Sequence, residues 1–125
     1  MLLGAFFHAK ELLHAEDKIS ATLLLNKDHE IFKGHFPGQP VVPGVCMLQM
    51  IKEILEQAGN RKLMLKKARQ VKYLALIDPV QLPEIQVGIQ YKVEEGGSVF
   101  ATGNLFSGDL IFLKFKGEFL SHDHR

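Results

Sequence analysis

An α+β architecture, one long helix with an antiparallel sheet wrapped over it, follows from three features of this 125-residue chain. The stretch from Gly44 to Ala58 contains no internal helix breaker, and Gly59-Asn60 supplies the usual stop after it. In the following half, Ile85, Val87, Ile89 and Tyr91 alternate with Glu84, Gln86, Gly88, Gln90 and Lys92, the period of a half-buried strand. Turn formers at Glu95-Gly96-Gly97 and Ser107-Gly108-Asp109 then divide that half into hairpins. One amphipathic helix and several one-faced strands bury their apolar sides together when the sheet closes over the helix.

The apolar opening Met1-Leu2-Leu3-Gly4-Ala5-Phe6-Phe7 lacks a basic leader and is too short for a secretion signal or a membrane span, so it is expected in a core or an interface. Lys18 to Asn26 is rich in strand formers and reads as the first strand, ended by Asn26-Lys27-Asp28. Between Phe36 and Pro43, three prolines and a glycine forbid a helix, because each proline fixes its own φ and pushes its predecessor toward extended geometry. A shaped loop must lie there, with the helix of about four turns directly behind it. Leu63 to Leu76 reads as a strand, and Val99 to Phe106 and Leu110 to Leu120 complete an antiparallel meander. One domain is expected over 1–125, with 120–125 a flexible tail.

Composition narrows the function. Hydrophobic residues make up 46% and charged residues 23%, and Cys46 is the single cysteine, which excludes a disordered chain and a disulfide framework and makes a reducing cytoplasm the expected setting. Fifteen Lys plus Arg against 14 Asp plus Glu leave a formal charge of +1, too little to attract nucleic acid through a broad field. A local exception runs through Arg61, Lys62, Lys66, Lys67, Arg69 and Lys72. That run suits an acidic partner or an edge strand guarded by lysines. His8, His14 and His29 have no partner at ligand spacing, and His122-Asp123-His124 sits in the tail, so no metal is expected. Cys46, between Val45 and Met47, reads as a packed thiol, and Met47, Met50, Ile51, Ile54 and Leu55 as core, although adaptable methionines also suit an acyl tunnel.

Chemistry concentrates between His29 and Met50. Pro40 and Pro43 stiffen the approach to the helix, and Gly44 opens it. The first N–H groups of a helix have no internal partner and lie at the positive end of its dipole, so they can polarise a carbonyl or hold an oxyanion. His35 stands nine residues earlier, close enough to fold back, and its imidazole exchanges protons near neutral pH. A thioester with its carbonyl on the helix start would have a more acidic α-carbon, and His35 could remove that proton. From the residues alone, a structural loop histidine stands beside this catalytic reading.

The run Phe32 to Gln49, above all Gly34-His35-Phe36-Pro37 and Pro40-Val41-Val42-Pro43-Gly44-Val45, resembles the signature of the 3-hydroxyacyl-acyl-carrier-protein dehydratases. The resemblance implies a hotdog fold, a homodimer or higher homo-oligomer, and a lyase of fatty-acid or related acyl-chain biosynthesis. It implies acyl carrier protein with its phosphopantetheine-linked chain as partner, and no metal or redox cofactor. Residue by residue, His35 matches the base that takes the α-proton, Gly44 N–H the carbonyl-binding group, and the Val42 carbonyl the group orienting the imidazole. Phe36, Pro37, Val45 and Met47 fall where substrate is bound. The family's helix carboxylate, given by the other subunit, falls on Gln49. A carboxamide cannot exchange a proton at neutral pH, so Gln49 can orient a hydroxyl or water without acting as acid. Glu53, one turn on, is the nearest substitute carboxylate. On a helical wheel Gln49 falls beside Lys52, Glu53 and Glu56 on the polar side, facing water or lining a tunnel beside Val45 and Cys46. The alternatives are a partner protein that binds the acyl carrier without turnover, or with a second chain supplying the acid, and a hotdog thioesterase.

Overall fold

A computed structural model of the protein describes residues 1–34 and 38–121. Its elements in chain order are β1 (Phe7–Ala15), β2 (Lys18–Leu25), the short α1 (Ile31–Gly34), α2 (Gly44–Gly59), β3 (Leu63–Tyr73), β4 (Glu84–Val93), β5 (Ser98–Ser107) and β6 (Leu110–Ser121). The six strands form one sheet in the order β1-β2-β4-β5-β6-β3, every neighbouring pair antiparallel. The sheet packs on α2 through one core, in which Met50, Ile51, Ile54 and Leu55 meet inward residues such as Ile85, Val87, Leu105 and Phe115. Gly103 on β5 lies directly under the helix: a Cβ there would stand 3.4 Å from two Ile51 carbons, in van der Waals contact.

The helix ends where the sequence placed its stop. Asn60 adopts the left-handed conformation (φ 52°) and donates its N–H to Gln57 and Glu56 carbonyls, which satisfies the free acceptors of the last turn. The meander β4-β5-β6 also lies at the expected turns.

Three expectations need correction. Lys18–Leu25 is the second strand, because Phe7–Ala15 precedes and pairs with it. That first strand is mostly exposed and is broken by a register shift between Lys10 and Leu13, with Glu11 at φ 55°, so it has no clean alternation to read. The strand after the helix ends at Tyr73 rather than Leu76. Leu120 and Ser121 pair with Met64 and Leu63 and so belong to the sheet, while 122–125 lie outside the described residues. The opening segment does enter the core, with Phe6 and Phe7 fully buried.

From Lys66 to Lys72 the basic run lies on β3, an edge of the sheet, where lysines discourage pairing with stray strands. Lys66 and Arg69 both approach Glu118 on β6, at 3.6 and 3.8 Å. No helix among the described residues is long and apolar enough to cross a membrane.

Candidate functional site

The helix start is fixed from before and beside. Val41, Val42 and Pro43 are buried, and Val42 N–H donates to the Ile77 carbonyl at 2.9 Å, anchoring the loop on the segment after β3. Pro43 is the N-cap (φ −62°, ψ 147°) and has no side chain that could cap the helix. Cys46 and Met47 donate to the Pro43 carbonyl, at 3.0 and 3.2 Å. The N–H groups of Gly44 and Val45 have no partner among the described residues. Two donors at the positive end of a four-turn helix are thus left for a ligand oxygen.

Tyr73, at the end of β3, covers Gly44: an added Cβ would fall 2.9 Å from its Cζ and 3.1 Å from its hydroxyl oxygen. Any larger residue at 44 must displace the phenol. Sequence reasoning missed Tyr73, since only the pairing of β3 with β6 brings it to the helix start.

His35, Phe36 and Pro37 lie outside the described residues, so the proposed base and its contact with the Val42 carbonyl are not placed. Val45 is 74% exposed and, with Leu48, Gln49, Leu63, Met64 and Phe115, lines a cleft of about 260 Å³ between α2 and the β3–β6 edge. Met47 is buried in the core at 3% exposure and is not among the residues that line this cleft. Burial pushes the Cys46 thiol above its ordinary pKa, the opposite of what a nucleophile needs.

The polar side of the helical wheel is not a water-facing side. Glu53 is only 1% exposed. Its carboxylate accepts the Leu2 N–H at 2.8 and 3.0 Å, the Leu3 N–H at 2.7 Å and the Gln49 Nε2–H at 2.6 Å. Glu56, also buried, accepts the Leu63 N–H at 2.8 Å. Chain segments that cross this side of α2 bring unpaired backbone donors with them, and the carboxylates satisfy those donors instead of facing water. Gln49 is half-buried between its cleft and this carboxylate. A wheel that sees only α2 contains no signal for donors arriving from residues 2, 3 and 63.

Residues 11–107 match the ApeI-like family, described as ApeI dehydratase. The 3-hydroxyacyl-acyl-carrier-protein dehydratase FabZ of Oenococcus oeni is 32% identical over 120 residues, covering 82% of each chain. The FabZ of Levilactobacillus brevis is 25% identical over 120 residues, 86% of this chain and 81% of that one. The FabZ of Lactococcus lactis is 42% identical over 66 residues, which span 51% of this chain and 41% of that protein. Among solved structures, the dehydratase heterocomplex ApeI:P from Xenorhabdus doucetiae superposes with a TM-score of 0.71 at 18% identity, covering 94% of this chain and 99% of that one. The conserved protein PA5202 from Pseudomonas aeruginosa gives 0.61 at 12% identity, over 88% and 86%. These likenesses establish the hotdog fold, and the sequence matches go further: the chain belongs to the ApeI-like family of FabZ-like dehydratases.

Proposed function

We propose that this protein is a cytoplasmic lyase that removes water from a 3-hydroxyacyl thioester on acyl carrier protein, using His35 as base. The observation that supports the reading is the helix start: two N–H donors, at Gly44 and Val45, have no partner among the described residues, nine residues after His35 in the chain. With the thioester oxygen on these donors, His35 takes the α-proton and the electron pair moves toward the carbonyl. That pair then forms the α,β double bond as the β-carbon–oxygen bond breaks, and the hydroxyl leaves as water with a proton. Gln49 has no proton to give, so in a homodimer the imidazolium of His35 returns it. No metal or redox group is needed in this scheme.

An exposed apolar strip beside the β3 edge supports the oligomeric part of the reading. Val45, Met64, Leu65, Tyr73, Leu74 and Leu76 are all exposed along that edge, an apolar strip of the kind that a second chain covers. A second reading, a heterodimer in which another chain supplies the acid, is favoured by the carboxamide at 49 and by the engagement of Glu53 with Leu2 and Leu3.

Mass spectrometry of a 3-hydroxyacyl chain on acyl carrier protein tests both. The first reading expects the wild type to remove one water while His35→Ala does not. An inert wild type would overturn it, and turnover appearing only when a second dehydratase chain is added would establish the heterodimer. Release of free carrier thiol would indicate thioester hydrolysis instead.

A further inference from the structure

Glu53 is the most deeply buried charged residue among those described, and the scheme above does not use it. Its contact with Gln49 has a chemical direction. A carboxylate only accepts hydrogen bonds, so the 2.6 Å contact must use the Nε2–H of Gln49, and the amide cannot be turned the other way round. Leu2 and Leu3 N–H groups hold the carboxylate in turn, so it does not follow the amide if that rotates. Nε2 and Oε1 leave the same planar carbon on opposite arms. With Nε2 tied to Glu53, Oε1 takes the other arm of the amide and is left as the acceptor of a side chain that lines the cleft with Val45 and Leu48. Oε1 has no donor partner among the described residues.

We propose that Glu53 is a positioning residue that fixes Gln49 with its carbonyl oxygen toward the cleft, making position 49 an obligate hydrogen-bond acceptor for the hydroxyl of the 3-hydroxyacyl substrate. This rests on the dehydratase reading for the identity of the ligand, but the amide orientation stands independently of it. An acceptor at this place selects acyl chains that bear a hydroxyl donor over saturated or 3-keto chains, which lack one. A free carboxamide would present N–H or C=O indifferently and lose that selection.

The experiment uses full-length protein with ¹⁵N-labelled glutamine side chains, the Gln49 signal being identified by its absence in Gln49→Met. The Gln49 amide is expected to exchange its protons with water at least about tenfold more slowly than exposed glutamines, since one proton is held by a buried charge. Glu53→Gln is expected to abolish this protection and to raise KM for the 3-hydroxyacyl carrier about tenfold, with kcat changed less, because ground-state orientation is what it removes. The exchanged pair Gln49→Glu/Glu53→Gln restores an acceptor at 49 and a donor at 53, and is expected to recover the KM. Ordinary exchange at Gln49 in the wild type overturns the proposal, as does a folded Glu53→Gln with unchanged KM. Should Glu53→Gln fail to fold, wild-type exchange and the exchanged pair still decide. An inert wild type with a protected amide defeats the dehydratase reading and the substrate assignment while the orientation stands. An active wild type with an unprotected amide defeats the positioning alone.

Discussion

The Cys46 thiol, 4% exposed in the first turn of α2, ionises only by placing a charge out of reach of water, and this raises its pKa. As pH rises past the ordinary thiol value of about 8.5, the unfolded chain loses its proton first while the folded chain keeps it. The contribution to stability is therefore complete below that pH and is lost as pH rises through the raised folded value. Urea melts from pH 7.5 to 9.5 should show a decline that Cys46→Ala flattens, and alkylation of native Cys46 at pH 8 should be at least about tenfold slower than that of a free thiol. Equal slopes in the two proteins would remove the argument. Gln49→Glu, which places a carboxylate at 49, acts in a related way. It would put a second carboxylate where a donor now stands 2.6 Å from Glu53, and two such groups in a buried place share one proton. The shared proton is held below the raised pKa of the pair and lost above it, so the variant should match the wild type near pH 5 and lose roughly 1–3 kcal/mol by pH 8. Thermal melts across that range check it, and a pH-independent difference would show that the two side chains separate. Inactivity of Gln49→Glu alone would thus report repulsion as much as mechanism.

At the scale of elements, the N-terminal segment is tied to α2 because its backbone donors complete Glu53. Leu3→Pro removes one of those donors without shortening the chain, and hydrogen bonds to charged groups contribute about 1.5–3 kcal/mol each. That loss should appear in the wild-type background and shrink to less than half in Glu53→Gln, as a double-mutant cycle in urea would measure. An equal loss in both backgrounds would mean that the proline acts only through backbone strain. Such cross-chain pairing also explains what the sequence could and could not disclose. α2 and the meander were legible because Gly59-Asn60 and the alternation from Glu84 to Lys92 are local signals. β1 was not, because its bulge at Glu11 breaks the period that would have announced it. The open helix start could be inferred from Pro43-Gly44 alone. The partners of Gln49 and the phenol over Gly44 could not, because residues 2, 3 and 73 reach α2 only through the folded topology.

Over the whole molecule, a formal charge of +1 conceals a segregated field. Strands β3 and β6 carry Lys66, Lys67, Arg69, Lys72, Lys114 and Lys116 but one carboxylate, Glu118, so the remainder of the chain is net negative. Lys66 and Arg69 share Glu118, which leaves Lys67, Lys72, Lys114 and Lys116 exposed and without an ion pair among the described residues. Lys72 lies directly opposite Lys114 in the ladder, where like charges are mutually destabilising by roughly 0.2–1 kcal/mol. Tyr73, its neighbour, turns to the inner face and covers the helix start, whereas Lys72 and Lys114 project from the outer face of the same strands. On the reading that the acyl carrier docks there by its acidic surface, stability and function pull in opposite directions at Lys72. Lys72→Glu should raise stability by a few tenths of a kcal/mol through a new pair with Lys114. It should also raise KM for carrier-bound substrate several-fold, most strongly at low salt, while leaving KM for a small 3-hydroxyacyl thioester unchanged. Steady-state kinetics with both substrates at 25 and 250 mM salt, beside urea melts, provide the comparison. Equal effects on the two substrates would place the carrier elsewhere and leave the lysines as guards of an edge strand.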